Sequence, residues 1–546
     1  MLLRLSHITK PESADPPDHH VIAAVEPPSQ SSSSWTSYLT SWTRQSVLTD
    51  NNPATTNITT DSKSTLVGFR NPWPSWQKAT PAQIWDSFRW GVDDEGYLEL
   101  AESHLTSENA ATDSNQVAKL PRFGDLPPGW PGYSEAGAKA ARLLRVEEPD
   151  FSLSDVASAA ATDDENPGKV RAKVTWLGHA GALVQFPTDP GDDSSGRPLA
   201  FLFDPIFSNR ASPSESWGPA RTYPPPCKVE DLPAIDGVLI SHNHLDHMDS
   251  RTLKKVWEQN RESIRFFVPL GNGLWLREEC GIPEERIVEM DWWDGVELKE
   301  ADGDKVVAKV WCTPAQHNSW RSGAKNSVLW SSWYVEHLPA DGNSGCKAFF
   351  AGDTGYQFHP SPSWPPSPKK YQHQASSEVV QEAEEDKAYP PCPAFAEIRD
   401  RLGAPDVLLL PVSVGATFSY LRSFMPLPNW INPLPWHGPG VTGANHMPSW
   451  DAVKVFKEMV REDKEEGVAS DGEGVRGGKK RKSVAVAIHW GTFVPDPEEV
   501  LRTLGELEWA CKCQGVRFVR RWAVEEGGSG DELTFAALNH GGSIWV

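Results

Sequence analysis

The sequence predicts an α/β protein of layered sheets, and three observations carry that prediction. Short apolar runs rich in β-branched and aromatic residues recur between turn residues from Lys173 onward. Helical patterns lie between them, as from Asp451 to Val460. The runs are continuous rather than alternating, which suits sheets covered on both faces.

Residues 1 to about 66 are rich in Ser, Thr, Pro and Asp and read as disordered. Within them Trp35, Tyr38, Leu39 and Trp42 fall at i, i+3, i+4 and i+7, with Leu48 beyond. A short helix near 35–48 with one apolar face is expected there. Such a face suits a membrane interface; the alternatives are a chance cluster or a segment docked on the body. From Phe69 the composition becomes globular, and 67–546 is expected to be one large domain. Residues 134–146 look helical. The β candidates are Val174 to Leu177, Leu199 to Phe203, Val238 to Ile240, Arg265 to Val268, Val306 to Trp311, Val328 to Val335, Ala348 to Phe350, Val407 to Leu410 and Val484 to Ile488. Residues 358–390, rich in Pro, Ser and Glu, and 464–482, rich in Gly and charge, read as flexible surface insertions.

Composition limits the function classes. A net charge of -22 argues against a general nucleic-acid binder. The basic run Lys479, Lys480, Arg481 and Lys482 follows a Gly- and Glu-rich stretch and reads as a solvated loop. Seven cysteines without a C-x-x-C pair suggest reduced thiols and an intracellular compartment. Apolar runs such as Val407 to Leu410 are far too short to span a bilayer. The first twenty residues lack the apolar core of a signal peptide, and Glu12, Asp15 and Asp18 make a poor presequence. The 25 tryptophans read mainly as packing, with lipid or partner contact as the alternative.

The chemistry concentrates in Ser241-His242-Asn243-His244-Leu245-Asp246-His247, directly after the run Val238 to Ile240. A strand ending in such a turn aims several side chains at one point above a rigid sheet. Imidazole and carboxylate donors suit zinc. Without a metal, four such groups within six residues repel when charged and cost desolvation when buried. The alternative is a polar surface loop that happens to hold three histidines. Three further donors end apolar strands downstream: His317 after Val306 to Trp311, Asp353 after Ala348 to Phe350, and His489 after Val484 to Ile488. Singly each suits a hydrogen-bonded core residue; together they point to a metal centre.

This order of HxHxDH, His, Asp and His resembles the metallo-β-lactamase superfamily. The motifs Asn71-Pro72-Trp73-Pro74, Val174 to Ala180, Asp204 to Ser208, Arg210 to Ser214, Asp291-Trp292-Trp293, Pro314 to His317, Phe350 to Tyr356 and Ile488 to Phe493 resemble, more narrowly, the phospholipases D that hydrolyse N-acylphosphatidylethanolamine. The resemblance spans roughly residues 67 to 540 apart from the insertions. It implies a metallo-β-lactamase fold, an αββα four-layer sandwich. It implies two zinc ions per subunit: one held by His242, His244 and His317, a second by Asp246, His247 and His489, with Asp353 and a water or hydroxide bridging them. Asp246, Asp353 and His446 would be catalytic, with the bridging hydroxide attacking phosphorus and His446 helping the leaving oxygen. His179 falls in a family motif and reads as a residue behind the ligands. The products would be phosphatidic acid and an N-acylethanolamine. A phospholipid substrate and peripheral attachment to an intracellular membrane follow; nucleic acid is not expected as a partner, and a homodimer stays open.

The chain departs from that family at two places. Glu215 and Ser216 stand where Gln and Tyr are usual, near the expected substrate entrance, so substrate contacts by Glu215, Ser216 and His446 are expected with the head-group preference unsettled. Residues 418–440 are longer than the family's segment and crowd Phe418, Tyr420, Leu421, Phe424, Trp430 and Trp436 among prolines. They read as a membrane-docking or acyl-chain surface, against a dimer interface or a packed lid. The competing functions are another hydrolase of this fold, acting on a different phosphodiester or a lactone, and a membrane-associated scaffold with a structural metal site.

Overall fold

In a computed structural model of the chain, the described residues are 3–8, 21–24, 65–89, 96–108, 139–140, 142–153, 171–187, 197–300, 303–319, 326–339, 345–385, 389–413, 433–461, 483–494, 497–522 and 533–546. In chain order the elements are β1 (Leu3–Ile8), β2 (Val21–Ala24), β3 (Thr65–Phe69), α1 (Pro81–Asp86), β4 (Phe88–Arg89), α2 (Tyr97–Glu108), β5 (Lys173–Gly178), β6 (Gly181–Phe186), β7 (Leu199–Phe203), β8 (Gly237–Leu239), α3 (Ser250–Asn260), β9 (Arg265–Pro269), α4 (Gly273–Cys280), β10 (Ile287–Met290) and β11 (Gly295–Glu300). There follow β12 (Val306–Thr313), β13 (Ser332–His337), β14 (Lys347–Phe350), α5 (Ser377–Glu385), α6 (Ala394–Leu402), β15 (Val407–Pro411), β16 (Trp436–His437), α7 (Ser449–Met459), β17 (Val484–Ile488), α8 (Pro497–Gln514), β18 (Arg517–Val519), β19 (Thr534–Ala536) and β20 (Ser543–Trp545).

Two sheets carry the core. One runs β1-β11-β12-β13-β14-β15-β17-β19-β18, the other β10-β9-β8-β7-β6-β5-β20. Strand β7 shows how the layers form. Leu199, Phe201 and Phe203 enter the large core between the sheets, while Ala200 and Leu202 face a second core with Leu253, Val256 and Trp257 of α3 and Leu276 of α4. Alternate side chains of a strand point to opposite faces, so both faces of β7 are covered. Ring contacts of Phe203 with Phe350 at 4.9 Å and Phe186 with His337 at 5.0 Å join the two sheets. On the far side Phe395 of α6 meets Phe349, and Phe456 of α7 meets Phe535. The layer order is α-β-β-α, as the family resemblance implies.

Topology places the site. Strands β7, β8 and β9 are mutually parallel, as are β14, β15 and β17. Strand β12 runs antiparallel to β13, and β13 antiparallel to β14, so β12 points the same way as β14. Their carboxyl ends therefore lie at one edge of the sandwich, and the ligand-bearing turns leave from that edge.

The structure departs from expectation in three places. Within residues 1–66, expected to be disordered, Leu3–Ile8 forms an edge strand on β11, with Leu3 buried. An exposed sheet edge offers unpaired backbone groups, and a chain of modest apolar content can add to it. The expected surface insertion 358–390 buries Phe358, Trp364, Val379 and Ala383 and contributes α5, so its first part is packed. The expected strand Val328 to Val335 is strand only from Ser332. Leu329 and Ser331 spend their N–H groups on Leu270 and Ser241 instead of a ladder. Residues 35–48, 418–432 and 464–482 lie outside the described residues; of the segment 418–440, the described part contains β16, which pairs with β4. Among the described residues, no helix is long and apolar enough to cross a membrane.

Candidate metal centre

All seven residues expected as ligands meet at that edge. His242, His244, His317 and Asp353 bring one donor atom each within 4.8 Å of one another, and so do His179, Asp246, His247 and His489. Asp353 stands between the two groups. Its Oδ2 lies 3.2 Å from His247 Nε2 and 3.8 Å from both His242 Nε2 and His317 Nε2. Its Oδ1 lies 3.1 Å from His489 Nε2. His242 Nε2, His244 Nδ1 and His317 Nε2 converge, with 2.7 Å between the first two and 3.4 Å between the last two. Six of the seven residues are buried and Asp246 is half-buried.

Partners behind the ligands fix their tautomers. Asp204 follows β7, is fully buried, and accepts His247 Nδ1–H at 2.7 Å as well as the backbone N–H and hydroxyl of Ser241. That leaves His247 Nε2 aimed inward. His317 Nδ1 donates to the Asn445 carbonyl at 3.0 Å, and Ser241 Oγ meets His242 Nδ1 at 2.8 Å. His179 Nε2 lies 3.1 Å from Asp246 Oδ2, and the His179 ring packs edge-on against Phe493. A carboxylate behind a ligand histidine raises its basicity and fixes its orientation.

Indole N–H groups buttress the same turns. Trp176 donates to the His179 carbonyl, Trp333 to that of Ile240 and Trp330 to that of Ala315. Trp292 donates to Trp330 and stacks on Trp73 at 5.3 Å. Asn71 adds a 2.7 Å bond to the His317 carbonyl. The motifs around Asn71, Trp176 and Trp292 thus hold the ligand-bearing turns in place.

The electrostatics suit cations. Burial opposes protonation of His489, yet Asp353 and Asp246 outweigh it and raise this histidine to about 9. His247 is likewise raised well above the ordinary value despite burial, by Asp353, Asp246 and Asp204. Burial and the neighbouring His244, His247 and His317 hold His242 well below it. Asp353 and Asp246 stay well below the usual carboxylate range against the cost of burial, because histidines surround them. The buried His247 Nε2, His489 Nε2 and Asp353 Oδ1 have no hydrogen bond of proper geometry. Buried polar atoms without partners are costly and rare, and a divalent cation would satisfy all three. The donor set of imidazole and carboxylate fits such an ion.

His446 also faces the cluster. Its Nδ1 lies 3.7 Å from Asp353 Oδ2, and its ring meets those of His317 and His489. Burial pushes it down to about 3. Glu215 and Ser216 are exposed on the loop after β7. Ser216 bonds to Ser214, and the Glu215 carbonyl accepts from Arg210, so their recorded bonds run within that loop rather than to the cluster. Asp204 and Ser241 stand in motifs the sequence singles out, but sequence reasoning gave neither a role. An acidic residue closing the apolar run Leu199 to Phe203 was the signal for the first.

Residues 200–362 match a family model described as a beta-lactamase superfamily domain. The chain has the metallo-β-lactamase fold. It is similar to an uncharacterised protein of Mycobacterium tuberculosis, 39% identical over 186 residues, 34% of this chain and 43% of that protein. It is similar to N-acyl-phosphatidylethanolamine-hydrolyzing phospholipase D 1 of Caenorhabditis elegans, 36% identical over 33% of this chain and 46% of that protein. The mitochondrial N-acyl-phosphatidylethanolamine-hydrolyzing phospholipase D of Saccharomyces cerevisiae is 29% identical over 37% of this chain and 39% of its own length. The match thus spans less than half the length of these relatives. Among solved structures, the metallo-beta-lactamase fold protein YhfI of Bacillus subtilis aligns with a TM-score of 0.31 and 13% identity, over 69% of this chain and 99% of that one.

Proposed function

We propose that this chain is a zinc-dependent phosphodiesterase of the phospholipase D type, hydrolysing N-acylphosphatidylethanolamine to an N-acylethanolamine and phosphatidic acid. One observation carries the reading: two groups of donors share Asp353, and the buried His247 Nε2 and His489 Nε2 among them lie close to its carboxylate without a hydrogen bond of proper geometry. His242, His244 and His317 would hold one ion; Asp246, His247 and His489 the second. Two divalent ions so held would supply hydroxide near neutral pH and neutralise charge on the phosphoryl oxygens. The names of the nematode and yeast relatives support the lipid substrate.

The chain's own residues perform the remaining tasks. Asp353 joins the two donor groups: its Oδ2 faces His242 and His317 of the first and His247 of the second, and its Oδ1 faces His489 of the second. Asp204 holds the His247 tautomer, and His179 holds Asp246. His446, pushed to about 3 by burial, is neutral at physiological pH before substrate enters. A neutral imidazole still offers one N–H to a phosphoryl or leaving oxygen, and an anionic phosphodiester beside it favours its protonation. Peripheral attachment to an intracellular membrane belongs to the same proposal, as does a role for Glu215 and Ser216 at the substrate entrance.

The test is a substrate panel: N-acylated and plain phosphatidylethanolamine, bis-p-nitrophenyl phosphate, a lactone and RNA, with products identified by mass spectrometry, with and without chelator. Chelator-sensitive release of N-acylethanolamine is expected. Faster turnover of another phosphodiester or the lactone, or tightly held metal with no turnover at all, would replace the proposal with one of its alternatives.

A further inference from the structure

The segment after Asp353 does more than return the chain to the surface. Residues 354–359 lie against residues 440–447, the loop that carries His446. Met447 N–H donates to the Thr354 carbonyl at 2.8 Å, Tyr356 N–H to that of Gly443 at 2.9 Å, and His359 N–H to that of Gly440 at 3.1 Å. On its other side the loop is gripped by Gln316, whose Nε2 donates to the Ala444 carbonyl, and by His317 through Asn445. The contact is close enough that a Cβ at Gly440 would collide with the His359 backbone.

His359 adds a side-chain lock to this seam. Its Nε2 lies 3.3 and 3.2 Å from the two oxygens of Asp451, and both residues are fully buried. Its ring stacks on Trp364 with centroids 3.6 Å apart and planes 8° from parallel. Asp451 sits in the first turn of α7, five residues after His446. A carboxylate is favoured there by the helix dipole. Both His359 and Trp364 lie in the stretch set apart as an insertion.

A buried ionisable pair adds little net stability over apolar packing, so fixing one geometry is the better-attested reason to keep it. We propose that His359 is a positioning residue: through Asp451 and the backbone seam, it fixes the loop that presents His446 to the metal cluster. The chemistry recognised is internal, an imidazole N–H on a carboxylate, and its consequence is the placement of one histidine over the reacting phosphate. A misplacement of about 1 Å near reacting atoms costs up to roughly 100-fold in rate. The catalytic consequence rests on the function proposed above; the structural brace does not.

Two variants separate the hydrogen bond from the packing. His359→Phe keeps a ring to stack on Trp364 and removes the donor. His359→Gln keeps a donor and removes the ring. The expected result for His359→Phe is unchanged metal content, unchanged KM, a kcat lower by roughly tenfold, and faster amide hydrogen exchange across residues 440–447 but not in β15 or β17. His359→Gln is expected to recover much of kcat and of the exchange protection. Asp451→Asn, which weakens the acceptor, should shift both readouts in the same direction as His359→Phe and serves if that variant does not fold. Exchange that stays at the wild-type rate in His359→Phe, or losses that are as large in His359→Gln and track melting temperature alone, would overturn the proposal. Should the wild-type protein turn over no lipid, the functional reading fails, and the exchange data still decide the brace.

Discussion

Asp353 presents its two oxygens in different directions, Oδ2 to His242, His247 and His317 and Oδ1 to His489. Asp353→Asn halves the site's capacity to neutralise two cations, so turnover should vanish while the circular dichroism spectrum and the melting curve of the chelator-treated protein stay as in the wild type. Asp204 acts one step back, through His247 Nδ1. Asp204→Asn should weaken metal binding by roughly 10- to 100-fold, measured by competition with a chelating dye. Retained affinity would contradict the role assigned to Asp204. Protonation provides a third test at this scale. His489, raised to about 9, carries a proton in the metal-free protein at pH 7.5, as does His247, held well above its ordinary value. A metal needs both rings unprotonated. Metal uptake should therefore release protons into a weakly buffered solution, and apparent affinity should fall as pH drops below about 9. Uptake without proton release would show that these rings are not ligands.

At the scale of elements, the turns matter more than the strands they follow. Gly355 lies so close to the Ala444 backbone that any Cβ would collide with it. Gly355→Ala should therefore destabilise the protein by about 1–3 kcal/mol in urea denaturation, whereas Gly303→Ala, whose Cβ would meet only the Lys305 backbone nitrogen at an ordinary 3.8 Å, should not. The ligands themselves were legible in the sequence because each closes an apolar strand. HxHxDH follows β8, His317 follows β12, Asp353 follows β14 and His489 follows β17. Their partners were legible only in part. His179 reads from the sequence as a residue behind the ligands, but its pairing with Asp246, 67 positions away, and that of Asp204 with His247, 43 positions away, depend on the tertiary fold. The tryptophans show the same limit. Their number was plain, but that Trp176, Trp330 and Trp333 give their N–H groups to ligand-bearing turns depends on tertiary placement. Packing of the insertion through Phe358, Trp364, Val379 and Ala383 was hidden by its polar average composition.

Across the whole molecule, a metal held at the cluster would couple its binding to folding. The cluster draws on β7, β8, β12, β14 and β17 and so ties both sheets together at one edge. A ligand held only by the native state stabilises it, by about 4 kcal/mol when free metal exceeds its dissociation constant roughly 1,000-fold. Chelation should lower the melting temperature and zinc should restore it. A melting curve indifferent to both would mean that no metal is held there.

Under the function proposed above, these seven residues hold two ions that act together on a phosphodiester bond. Its most direct test is a zinc titration of the chelator-stripped protein, with N-acylethanolamine release from vesicles of N-acylphosphatidylethanolamine as the readout. No release is expected without metal, with turnover rising to a plateau near about two equivalents per chain. Full turnover in the stripped protein, or none at any zinc loading, would contradict it.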